Sequence, residues 1–255
     1  MGKYLELFRG EVGDLTEKTK LENKPYVCYS TKLGKVTYTV VPVQEDLTEY
    51  TIRYTSLDGN IVVPKSENAD GFLDEEGNNI NIISNTYENG CGIFKLDKNP
   101  TQIGRNMFYG VGNLQSIELP PTITKIHNHA FCNSGIKYLY ISSSVTLVDW
   151  LSLNSDNMEI VWDIIRHRDY QADDWYNGLV YTPIGDAYTE IPIKKFTFGK
   201  NVQYIPAYLF VGTCISSINY DGTIEEWNNI EKSPNWNYAV YGLTTIHCID
   251  GDIEI

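Results

Sequence analysis

A set of apolar residues recurs at fixed offsets through the second half of this chain. Leu119 and Ile117 lie seven and nine residues before Ile126. The same two offsets lead from Ile103 to Leu96 and Phe94, from Val148 to Ile141 and Leu139, from Ile205 to Phe198 and Phe196, and from Trp227 to Tyr220 and Ile218. Three residues before each of these anchors stand Ile123, Val145, Val202 and Ile224, with Pro100 breaking the set; five after stand Phe108, Phe131 and Phe210. Successive anchors are 23, 22, 57 and 22 residues apart. Two apolar positions spaced by two share one face of a short strand. A unit of this size cannot bury that face alone, so such units stack into a solenoid whose ends need caps.

The pattern predicts a mainly β chain: a short solenoid of 22–23-residue repeats behind an N-terminal β-containing anchor region. The expected layout is an anchor segment over 1–45, a small β region or cap over 46–92, and the solenoid over 93–255. The long interval predicts one insertion at 163–193, and 228–255 is the expected C-terminal cap. Lys35 to Val43 and Tyr50 to Thr55 read as strands. Asp58-Gly59-Asn60 followed by Ile61-Val62-Val63 predicts a hairpin, and 66–81, acidic and rich in Asn and Gly, predicts a loop. Residues 1–24 carry Tyr4, Leu5, Leu7 and Phe8 among charges and glycines. That composition disfavours an isolated helix and predicts a segment ordered by something else.

Composition narrows the function classes. Of 255 residues, 42% are hydrophobic and 21% charged, enough for a real core, and the formal charge is −13. No cluster of Lys and Arg offers phosphate contacts, so neither nucleic acid nor an anionic membrane surface is an expected partner. No apolar run reaches the length of a signal peptide or a membrane span. The five cysteines, at 28, 91, 132, 214 and 248, fit neither a disulfide framework nor a zinc pattern. They predict small apolar residues in a reducing compartment, unless an export segment precedes this sequence.

With Ile103-Gly104, Leu114, Ile117-Glu118-Leu119-Pro120, Ile123-Thr124 and Ala130-Phe131 in place, the run 103–146 resembles the BspA-like leucine-rich repeat family. Tyr220 to Trp227 and Ile246 to Asp252 are similar to its terminal unit. The resemblance covers about 93–162 and 194–252. The family's Cys three residues after the Phe is missing here, since Cys132 follows Phe131 by one and Cys214 follows Phe210 by four. The resemblance implies a leucine-rich-repeat fold, adhesion and protein–protein contact at bacterial surfaces; similar repeats occur in proteins of phages infecting gut Bacteroidales. Leu21 to Ser30 and Lys35 to Pro42 are similar to the starts of structural proteins of those phages.

Enzymatic motifs are absent: there is no Gly-x-Ser-x-Gly, no phosphate-binding Gly-rich loop and no His-Glu-x-x-His. His127 and His129 could begin a metal clamp, but zinc needs a third protein ligand, and turn residues are the simpler reading. Asp70 to Asn78 is rich in oxygen donors yet lacks EF-hand spacing and reads as a solvated loop, as does Asp250-Gly251-Asp252. Asp173, Asp174 and Glu190 beside Trp175, Tyr176 and Tyr181 could contact a sugar or simply pack the insertion. Nineteen tyrosines favour an interaction protein.

These readings predict a non-enzymatic virion structural protein without cofactor or metal, a head fibre or capsid-surface component assembled in the bacterial cytoplasm. Tyr4, Leu5, Leu7 and Phe8 are the candidate particle-docking residues; Trp175, Tyr176 and Tyr181 are the candidate ligand contacts. The expected partners are virion proteins, further copies of the chain in a homo-oligomer (a trimer by resemblance), and a host surface receptor or glycan. Two alternatives stand beside this: a bacterial surface adhesin binding a host protein, and a carbohydrate-binding module.

Overall fold

The computed structural model describes residues 25–30, 34–39, 50–169, 175–176, 179–180, 182–185, 190–238 and 242–255. The chain divides into two compact units, Met1–Leu47 and Thr48–Ile255. In the first, Pro25–Ser30 pairs antiparallel with Gly34–Thr39, Ser30 opposite Gly34 and Pro25 opposite Thr39.

The second unit is the solenoid. Among its described residues, ten strands form one sheet. Its centre is six parallel strands, Leu114–Ile117, Tyr138–Ile141, Glu159–Trp162, Lys195–Phe198, Ser217–Tyr220 and Thr245–Cys248. The residues of the repeat pattern line up across it in two inward rows. Leu139 lies opposite Ile160 and Ile160 opposite Phe196; Ile141, Trp162, Phe198 and Tyr220 form the second row. All of them are buried. A second, short sheet pairs the anchors themselves, Ile103 with Ile126 and Ile126 with Val148. Phe108 and Phe131 stack between these layers at 5.5 Å and 7°, and Phe210 meets Phe196 edge-on at 4.9 Å. Fully burying a ring of this kind contributes about 1.5–3 kcal/mol.

The first repeat strand departs from simple stacking. Cys91–Leu96, which carries Phe94 and Leu96, does not adjoin Leu114–Ile117: Tyr50–Ser56 lies between them, antiparallel to both. Ile82–Glu88 then pairs with the outer side of Cys91–Leu96. These two form a hairpin at Asn89-Gly90, whose φ values of +51° and +80° are those of a tight hairpin turn. Opposite Tyr54 stands Gly92, where a Cβ would come within 2.1 Å of the tyrosine ring, so only glycine fits. The Tyr54 hydroxyl donates to Asn85 Oδ1 at 2.6 Å and accepts from the Val62 amide at 3.1 Å.

That last bond corrects the expected hairpin at Asp58-Gly59-Asn60. Ile61 to Val63 form no strand; Val62 is buried under Tyr54 instead. The Asp58 carboxylate accepts from Ser56 Oγ and the Asn60 amide, which hold it below the usual carboxylate range and close a local turn. The expected loop 66–81 also contributes to the core, because Phe72–Leu73 is buried and pairs antiparallel with Gln102–Ile103.

The coil following Glu159–Trp162 breaks the repeat spacing. Read as one insertion, 163–193 would lie outside the stack, yet Ile164, His167, Ile184 and Ile193 are buried in it. The amides of Leu151 and Leu153 donate to the carbonyls of Thr182 and Pro183, the ladder that His129 and Phe131 make to Trp150 and Ser152 one coil earlier. Thr182 and Pro183 therefore belong to the stack. Trp227 is buried as expected, but it lies on the helix Ile224–Asn229, opened by a capping box of Thr223 and Glu226. Lys232, not Trp227, pairs with Ile205. The sheet ends where Gly251–Glu254 folds back antiparallel on Thr245–Cys248.

Candidate functional site

The residues between the inward rows point away from the core and build an open face. Tyr138 lies opposite Ser116 on one side and Glu159 on the other, with Lys195 beyond; Tyr140, Val161 and Thr197 form the next row. Tyr138 and Tyr140 are 45% and 42% exposed although both sit mid-sheet. The Tyr140 hydroxyl donates to Asp163 Oδ2 at 2.9 Å, which fixes its ring on the surface. Asp163 is itself held by the Asn201 amide and side chain, at 3.0 and 2.7 Å.

A second feature crosses the turns on another side of the coils. Three residues past each paired anchor stand Asn106, His129, Leu151, Tyr208 and Asn235, all left-handed with φ between +53° and +65°. Asn tolerates that conformation; His, Leu and Tyr adopt it at a cost. His129 is flanked edge-on by Trp150 at 4.7 Å and Tyr109 at 6.1 Å. With Lys65, Arg105, Asn106 and Asn128 these rings line a shallow groove of about 420 Å³. Lys65 Nζ lies 4.6 Å over the Tyr109 ring, and Arg105 is 3.8 Å from Asp70. Burial, only partly opposed by the Asp149 carboxylate, lowers the His129 imidazole below its ordinary value. His127 is lowered for the same first cause; its Nε2 lies 2.7 Å from Gln102 Oε1. The two rings thus serve different neighbours. Among the described residues no group of three His, Cys, Asp or Glu side chains could hold a metal ion.

The other expected site residues fall elsewhere. Tyr4, Leu5, Leu7 and Phe8 lie outside the described residues, as do Tyr181, Asp173 and Asp174. Trp175–Tyr176 forms a short antiparallel ladder with Leu179–Val180, described by its backbone. Glu190 is exposed. Asp74 accepts from the Asn78 amide at 2.8 Å and from Lys98 Nζ at 3.3 Å, so its carboxylate serves its own loop. Cys132 is buried, and burial pushes its thiol up to about 11, that of an unreactive small side chain. Sequence reasoning passed over Tyr109, Trp150, Tyr138 and Tyr140. The last two were open to it, since each is the outward neighbour of an inward Leu139 or Ile141.

A family model for the BspA type leucine rich repeat region, in six copies, matches residues 78–159 and 184–231, just over half of the chain. The chain belongs to the BspA-type leucine-rich repeat family. The BspA-type match ends at 159 and resumes at 184, on either side of the coil that carries His167 and the extra stretch. No curated protein and no solved structure matches the chain. Among the described residues no helix is long and apolar enough to cross a membrane.

Proposed function

We propose that this chain is a non-enzymatic interaction protein whose repeat domain presents the open face of its parallel sheet to a protein partner. The supporting observation is the pair Tyr138 and Tyr140, large stiff rings held exposed in the middle of a continuous six-stranded surface. Tyrosines in that setting bring much contact area at little entropic cost. Tyr138→Ala with Tyr140→Ala should then weaken partner capture at least tenfold in a pull-down from host extract while the fold survives. Unchanged capture would remove the sheet face from consideration.

The finer reading is a phage virion component, a head fibre or capsid-surface protein assembled as a homo-oligomer. Residues 1–24 dock it to the particle through Tyr4, Leu5, Leu7 and Phe8, and the repeats face outward. Two features support it: the likeness of 21–42 to the starts of such proteins, and a compact unit Met1–Leu47 separate from the repeats. Mass spectrometry of purified particles should find its peptides in fixed ratio to the major capsid protein. Deleting 1–24 should abolish incorporation. Enrichment in the cell envelope, with none in particles, would identify a surface adhesin instead.

A further inference from the structure

We infer that the groove lined by Tyr109, His129 and Trp150 binds an uncharged sugar unit of a glycan, at a site separate from the open sheet face. Three rings from three successive coils converge there, and each belongs to a different turn. The backbone of those turns is already engaged: the Asn106 amide donates to Asn128, the Phe108 amide to Ala130 and the His129 amide to Trp150. An added peptide strand would find no ladder to extend, so recognition must pass through side chains. The side chains present are aromatic faces together with the amides of Asn106 and Asn128 and the guanidinium of Arg105. Amides donate and accept at once and guanidinium donates in a fork, which suits neighbouring hydroxyls, while the rings suit the C–H face of a pyranose.

Charge selects an uncharged ligand. Of the two cations of the groove, Arg105 faces Asp70 at 3.8 Å and Lys65 lies over the Tyr109 ring, while the Asp149 carboxylate adds a negative field at His129. The chain as a whole carries −13, so an acidic polymer is repelled at long range. A volume of about 420 Å³ falls within the roughly 300–1,000 Å³ of small-ligand sites. The groove is open, which lets a bound unit continue into a longer chain.

The test is an array of neutral, sialylated and sulfated glycans probed with the full chain, followed by titration of the best neutral binder by tryptophan fluorescence. Binding should favour neutral glycans and fall at least tenfold in both Trp150→Ala and Tyr109→Ala. Tyr238→Ala, an exposed ring on a later turn, should bind as the parent does. Tyr109 is 37% exposed, so its truncation keeps the test decisive even where Trp150→Ala fails to fold. Binding to no neutral glycan, binding only to charged ones, or equal affinity in a folded groove variant would each overturn the inference.

Discussion

Two coils of the solenoid solve the same problem with different atoms. In the coil anchored by Ile126, a buried aliphatic residue holds the layer, Phe131 plugs it, and backbone carbonyls take the neighbouring amides, as in the Asp149 amide to the Ile126 carbonyl at 2.8 Å. In the coil that follows Glu159–Trp162, His167 stands in that place. It is 1% exposed; its Nε2 accepts from the Val148 amide at 3.0 Å and its Nδ1 faces the Arg168 carbonyl at 2.7 Å. The Trp162 ring lies 5.7 Å from it, and Ile164 and Ile184 of the same coil are buried as well. The lesson is that the stack demands an acceptor and a volume at each level, and a side chain can supply both. A neutral imidazole with its proton on Nδ1 does so where the coil spacing fails.

The comparison breaks most visibly at the regular coil. Phe131→Ala removes a ring stacked on Phe108 and should cost about 3–5 kcal/mol in chemical denaturation. A loss below 1 kcal/mol would mean that the ring column does not bear the stack. At the irregular coil, His167→Ala should cost about 2–4 kcal/mol, part cavity and part orphaned Val148 amide. His167→Gln, which keeps an acceptor, should recover some of that loss, whereas His167→Leu should restore volume without the bond. If Leu recovers as much as Gln, the hydrogen bond is unimportant.

Acid sharpens the picture further. His127 and His129 are lowered by burial, with Asp149 pulling both up, Asp70 pulling His127 up, and Lys125 and Arg105 pulling down on His127 and His129 respectively. A depressed imidazole binds fewer protons folded than unfolded, so its contribution is intact above the unfolded value of about 6.5 and is lost as pH falls toward the folded one. The double variant His127→Gln, His129→Asn should therefore lose less stability between pH 7 and 5 than the parent does; parallel curves would exclude these two as the source. The smallest effect belongs to Arg166, which pairs with Glu231 at 2.8 Å while both are more than half exposed. Arg166→Ala should change stability by about 1 kcal/mol or less, and the change should shrink in high salt.

Much of the candidate site was hidden from a linear reading. The sheet-facing tyrosines follow from alternation, but the groove joins Lys65, Arg105, Tyr109, His129 and Trp150 from turns with no shared motif. In the sequence His129 reads only as half of a pair with His127, because spacing cannot show that the two rings serve different neighbours. The Asn89-Gly90 hairpin carries its own sequence signal, the dipeptide most suited to such a turn.

What the sequence determined by itself was the inward pattern: the paired rows such as Leu139 with Ile141 and Phe196 with Phe198, the aliphatic anchors, and the phenylalanines between layers. Burial of apolar area is local to each repeat, so its period survives in one dimension. Only the tertiary structure decided that Tyr50–Ser56 slides between two consecutive repeat strands, that His167 replaces an aliphatic anchor, and that Ile164, Ile184 and Ile193 of the long interval are buried in the stack. Those outcomes depend on which distant backbone groups find partners, and pairing between distant strands leaves no period to read.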